Sequence, residues 1–181
     1  MIINKRFRNA LNNTPQDIPP IWFMRQAGRY HSHYQGLRKK YSFEQLCKNF
    51  ELASEVACGP ILDFDYDIAI LFSDILFPLE YMGLNLNYNP GPIFDSYFDE
   101  RSITKIKPID EIVSDLTFQS KALIETRKRL PDNKSLVGFV GGPWTLLSYG
   151  LGIKNKLNKI NPKNILFYEK LLFDILFPVT L

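Results

Sequence analysis

The sequence predicts an α/β protein built on parallel strands. Three short apolar runs carry that prediction: Ile21-Trp22-Phe23-Met24, Ile68-Ala69-Ile70-Leu71-Phe72 and Leu136-Val137-Gly138-Phe139-Val140. Helical stretches separate them. Strands that are apolar without alternation are buried on both faces, which fits a parallel sheet covered by helices. Either a (β/α)8 barrel or a doubly wound sheet satisfies the pattern. A complete barrel takes ~250 residues, and this chain has 181.

Taken in order, residues 4–11 form an amphipathic stretch and residues 12–20 a turn-rich loop. The first apolar run follows and stops at the polar segment Arg25-Gln26-Ala27-Gly28-Arg29. Ser42 and Gln45, three apart, fit a capping box. From Glu51 to about Cys58, Leu52, Ala53 and Val56 share a helical face, and Gly59-Pro60 is expected to punctuate it. The second apolar run ends at Ser73-Asp74. Residues 83–108, with Pro90, Gly91, Pro92 and Pro108, read as a long loop with at most short strands. Residues 109–130 read as mostly helical, stopped by Pro131-Asp132-Asn133. After the third run, Gly141-Gly142-Pro143 turns the chain into a helix carrying Trp144 and Tyr149.

Composition narrows the function. The chain is 45% hydrophobic, enough for a core and against disorder. Its net charge of +3 is too small for a nucleic-acid or membrane-surface protein. No apolar run reaches the ~18–20 residues of a membrane span. The opening residues, Met1 to Arg8, are too polar for a secretory signal. Two cysteines, Cys47 and Cys58, make neither a disulfide framework nor a four-cysteine zinc site. A soluble, cytoplasmic protein is expected.

Polar constellations follow the apolar runs, where the loops of a barrel build an active site. Arg25 and Arg29 bring two guanidinium groups together across a glycine. Such cations repel unless an anion joins them, so a carboxylate or phosphate ligand is one reading. Surface arginines, each with its own Asp or Glu, are the other. Asp74 reads either as an acceptor for ligand N–H groups that stabilises a developing cation, or as a helix N-cap. The glycine-rich stretch 138–145 lacks the Walker lysine, so a tight turn needing glycine dihedrals is favoured over a phosphate cradle. His31 and His33 are expected to be exposed loop residues rather than a metal pair. Cys47 and Cys58 are expected in the core.

Three of these stretches resemble one family. Ile21-Trp22-Phe23-Met24-Arg25-Gln26-Ala27-Gly28-Arg29-Tyr30 is similar to the N-terminal signature of the uroporphyrinogen decarboxylases. Phe72-Ser73-Asp74-Ile75-Leu76 resembles their aspartate motif. Residues 138–146 followed by Tyr149 resemble their third motif, and Glu51-Leu52-Ala53 and Asn89-Pro90-Gly91-Pro92 also fit. The resemblance spans nearly all of residues 1–170. It implies a single domain over residues 1–181, the N-terminal half of a (β/α)8 TIM-type barrel. It implies a carboxy-lyase that removes carbon dioxide from the four acetate side chains of uroporphyrinogen III, giving coproporphyrinogen III. It also implies no metal or organic cofactor, a tetrapyrrole as the small-molecule partner, no nucleic acid or membrane, and a cytoplasmic homodimer.

Carried over residue by residue, the substrate-binding positions are Arg25, Gln26, Ala27, Gly28, Arg29, Asp74 and Tyr149. Asp74 would stabilise charge and Arg25 would deliver the proton. His31 and Ser32 depart from the family, which more often has an apolar residue and proline there. Two further site residues, a serine and a histidine, belong to the family's C-terminal half. The apolar end of this chain, Asp174 to Leu181, suggests a truncated or split reading frame, so an inactive fragment is an alternative. A relative of the corrinoid-dependent methyltransferases is another, disfavoured because Cys47 and Cys58 lie in no His/Cys ligand cluster.

Overall fold

A computed structural model describes residues 4–154 and 160–180. Met1 to Ile3 of the opening stretch and Leu181 lie outside the described residues. In chain order the helices and strands are α1 (Lys5–Leu11), α2 (Ser32–Arg38), α3 (Phe43–Lys48), α4 (Phe50–Phe64), β1 (Ile68–Ile70), α5 (Phe77–Tyr81), β2 (Leu86–Tyr88), β3 (Pro92–Phe94), α6 (Ile109–Asp115), α7 (Thr117–Arg129), β4 (Ser135–Val137), α8 (Pro143–Gly150), α9 (Ile165–Lys170) and α10 (Phe177–Thr180). A π-helical segment, Leu171–Leu176, joins the last two. The fold is mixed α/β, as expected. Local chemistry sets several helix starts. Asn4 accepts from the Phe7 N–H to open α1. The Ser42–Gln45 capping box forms in both directions before α3. Asn49 accepts from Glu51 and Leu52 to open α4.

The chain divides into two compact units, Met1–Ser73 with Phe118–Phe139, and Asp74–Thr117 with Val140–Leu181. In the first unit β1 and β4 pair in parallel, Ile68 opposite Ser135 and Ile70 opposite Val137. One side of the pair packs Ala69 against Cys58, Ile61 and Leu130, with Tyr66 and Leu136 around them. Leu71 packs with Ala53 and Ala122, against Leu123 and Phe139. A buried carboxylate, Asp67, ties this unit together. It accepts from the Ile21 N–H at 2.9 Å and from Asn4 Nδ2 at 3.1 Å. Asn4 in turn donates its backbone N–H to Ser135 Oγ at 2.9 Å. In the second unit β2 and β3 form an antiparallel hairpin. Helix α8 buries Leu146, Leu147 and Gly150. Gly150 lies against the Phe98 ring, where an added Cβ would meet Phe98 Cδ2 at 2.7 Å.

Three expectations change. Residues 21–24 run beside β1 without joining the sheet. Asp67 takes the Ile21 N–H and the Gln26 side chain takes the Phe23 N–H, so those donors are lost to a ladder. Helix α4 does not stop at Gly59-Pro60 but runs through to Phe64. Proline costs an interior helix about 3 kcal/mol, yet residues 56–61 are all buried, and that packing outweighs it. The stretch 109–130 is mostly helical, as expected, in two helices that part at Leu116, whose N–H is shared between the Ile112 and Val113 carbonyls. His31 is buried, 3% exposed, not a surface residue: its Nε2 sits 2.6 Å from Asp63 Oδ2 and its ring packs on Phe64.

Candidate active site

The arginine loop belongs to the first unit. It leaves residue 24 as a series of tight turns held by two backbone bonds, Gln26 N–H to the Phe23 carbonyl and His31 N–H to the Gly28 carbonyl, both 3.0 Å. Gly28 is required by close approach, because an added Cβ would meet the Arg25 carbonyl oxygen at 2.7 Å. Arg25 and Arg29 are both exposed, while Ala27 and Gly28 are half-buried between them. Among the described residues neither arginine has a carboxylate within 4.0 Å. The surface-pair reading needs such partners, and the described residues supply none. The exposed side chains of Trp22, Phe23 and Met24 lead into the loop. Phe23 continues into a row of rings through Tyr66 and Phe64 to Tyr30.

Asp74 and Tyr149 belong to the second unit. Asp74 is half-buried, and its Oδ1 accepts from the Leu76 N–H at 2.8 Å. Burial pushes its carboxyl above the usual carboxylate range, while the Leu76 N–H and the Tyr88 hydroxyl pull it back. The N-cap of α5 is Leu76, which makes no side-chain cap bond, so Asp74 braces the turn before the helix rather than capping it. Tyr149 is half-buried on α8, and the Lys154 ammonium bonds its hydroxyl and lies 4.3 Å from its ring centroid. Tyr88 and Lys154 were not singled out by the sequence. Neither stands in a recognisable motif, and only chain folding brings them to Asp74 and Tyr149.

In the glycine-rich stretch only Gly141 is required by packing, and none of its glycines by dihedral freedom. Positive-φ glycines among the described residues are Gly83 and Gly152, not those of this stretch. At Gly141 an added Cβ would meet Leu146 Cδ2 at 2.7 Å and Ile75 Cβ at 3.2 Å. Cys47 and Cys58 are both buried, as expected, and form no disulfide among the described residues. Among the described residues no group of three His, Cys, Asp or Glu gathers as metal ligands, and no helix is long and apolar enough to cross a membrane.

The uroporphyrinogen decarboxylase family model matches residues 3–165. The chain belongs to the uroporphyrinogen decarboxylase family. It is 44% identical over 149 residues to the uroporphyrinogen decarboxylase of Hydrogenovibrio crunogenus, covering 81% of this chain and 42% of that protein. It is 42% identical over 147 residues to that of Trichlorobacter lovleyi, covering 81% and 43%. With that of Pelobacter propionicus it shares 37% over 165 residues, covering 91% and 48%. The chain thus spans about half the length of the curated relatives it matches. Among solved structures, a methyltransferase from Methanosarcina mazei superimposes with a TM-score of 0.58 at 18% identity, covering 99% of this chain and 53% of that one. At that identity the likeness is one of fold.

Proposed function

We propose that this chain is a single domain providing the N-terminal half of a (β/α)8 barrel in a cytoplasmic, homodimeric uroporphyrinogen decarboxylase. The reaction removes the four acetate carboxyls of uroporphyrinogen III and yields coproporphyrinogen III. Arg25 and Arg29 hold substrate carboxylates through bidentate pairs. Ala27 and Gly28 shape the loop between them, and Gln26 holds it. Tyr149 offers its hydroxyl to a further carboxylate.

At each acetate a proton first adds to the pyrrole ring carbon, with Arg25 as its donor, and the ring becomes a cation. The bond to the carboxylate breaks, carbon dioxide leaves, and the electron pair neutralises the ring. The exocyclic carbon then takes a proton to become a methyl group, and the ring carbon gives its added proton back. One proton is consumed per carboxylate. Asp74, ionised near the pyrrole N–H groups, accepts from them and stabilises the cation as it forms. These steps use the chain's own side chains and call for no metal or organic cofactor.

The observation that carries this reading is the pair of exposed arginines around Gly28, which have no carboxylate within 4.0 Å among the described residues, in a chain of this family. A second reading, an inactive fragment of the same enzyme, is favoured by the parallel sheet, which is two-stranded among the described residues. The test is an assay of the 181-residue chain alone and mixed with the C-terminal half of a full-length relative. Coproporphyrinogen formed in either sample supports the first reading. No product in either, with a folded chain that binds no porphyrin, overturns it.

A further inference from the structure

One polar side chain in the arginine loop is fully buried: Gln26, 1% exposed. Its hydrogen-bonding capacity is almost entirely spent inside the first unit. The side-chain Nε2 donates to the Ile68 carbonyl, the first residue of β1, at 3.0 Å. The side-chain Oε1 accepts from the Phe23 N–H at 3.0 Å. Its backbone N–H goes to the Phe23 carbonyl at 3.0 Å, and its carbonyl accepts from the Tyr30 hydroxyl at 2.6 Å.

We infer that Gln26 is a positioning residue: its carboxamide clamps the loop onto β1 so that Arg25 and Arg29 meet substrate carboxylates at a fixed separation. This rests on the reading of the two arginines as carboxylate binders. The clamp needs one donor and one acceptor on a single planar group, which an amide supplies. Glutamate is acceptor-only when ionised, and methionine supplies no N–H. Loss of the donor leaves a buried strand carbonyl unsatisfied and frees the turn between two long, rotamer-rich side chains. The arginines would keep their charge and lose their common geometry.

The test compares the 181-residue chain with Gln26→Glu and Gln26→Met by hydrogen exchange and by titration with uroporphyrin, an oxidised form of the substrate. The Gln26 and His31 amides are expected to exchange at least tenfold faster in the variants, while amides at the centre of α4, such as Ala57, keep their rates. Uroporphyrin affinity is expected to fall at least tenfold in Gln26→Glu, and less than threefold further when Gln26→Glu is added to Arg29→Ala. Unchanged loop exchange overturns the clamp. So does equal acceleration across α4, which would make Gln26 a general stability residue. A second full tenfold loss on top of Arg29→Ala would make Gln26 a direct ligand and overturn positioning. If both variants fold poorly, Gln26→Asn keeps the amide on an arm one methylene shorter, and unchanged loop exchange in that variant overturns the clamp. If the parent chain binds no uroporphyrin, the carboxylate reading falls, and the exchange comparison still decides the clamp.

Discussion

Asp74, the proposed charge stabiliser, holds its carboxyl at a cost to the fold. Its half-buried setting raises its pKa, so the folded chain binds that proton more tightly than the unfolded chain does. The associated stability is therefore fully present below the ordinary carboxylate pKa of about 3.9 and is lost as pH rises through the raised value. Asp74→Asn keeps an acceptor for the Leu76 N–H and cannot ionise. It is expected to match the parent's melting temperature in strong acid and to exceed it increasingly up to neutral pH. In an active form of the enzyme the same change should cost about 10²–10³ in turnover, the scale of one lost preorganised electrostatic contact. Parental turnover would remove Asp74 from the charge-stabilising role. Arg29→Lys keeps the charge and loses the bidentate fork. A roughly tenfold weaker uroporphyrin titration is expected, on the scale of one charged hydrogen bond. Asp67 makes the opposite case, a buried acceptor committed to the fold. Asp67→Ala strands the Ile21 N–H and the Asn4 amide, and should cost about 3 kcal/mol in urea unfolding. A loss under about 1 kcal/mol would mean that Asn4 and Ile21 find other partners.

Among the elements, helix starts were the most legible because their signals are local. Ser42 and Gln45 cap α3 through each other, and both stand within one turn. At α4, Asn49 accepts from two N–H groups. Asn49→Ala should destabilise the first unit by about 1 kcal/mol, read as a shifted denaturation midpoint. The β1 and β4 runs were legible as strands, although each pairs over three residues only and β4 is half-buried at Leu136 and Val137. What failed to show in sequence depended on distant partners. Residues 21–24 have the composition of a strand, but Asp67 and Gln26 claim their donors. Pro60 reads as a stop, but the buried face of α4 carries the helix past it. His31 reads as a loop residue until Asp63, thirty-two positions on, meets its ring. In the candidate site, Arg25, Arg29, Asp74 and Tyr149 stood out from motifs. The inward commitment of Gln26 and the neighbours Tyr88 and Lys154 required the folded chain.

For the whole molecule, the first unit exposes a run of large apolar side chains, with Trp22 at 42%, Phe23 at 57% and Met24 at 75%. Runs of this kind beside a short sheet favour association. The chain alone is expected to self-associate and to bind ANS. Met24→Glu should reduce both in sedimentation and dye-binding measurements. Unchanged association would place the sticky surface elsewhere.

Trp22 lies beside the arginine loop in the first unit and Trp144 opens α8 in the second, each partly open to water. The sequence holds no other tryptophan. Nature has thus fitted each unit with one fluorophore. Trp22→Phe and Trp144→Phe leave a single emitter apiece, so one optical signal can be assigned to each unit. Coincident denaturation curves from the two variants would mark a single cooperative domain, and separate curves two. A bound porphyrin absorbs where tryptophan emits. Energy transfer would therefore quench whichever emitter lies near the ligand, and would report which motifs have come together around it.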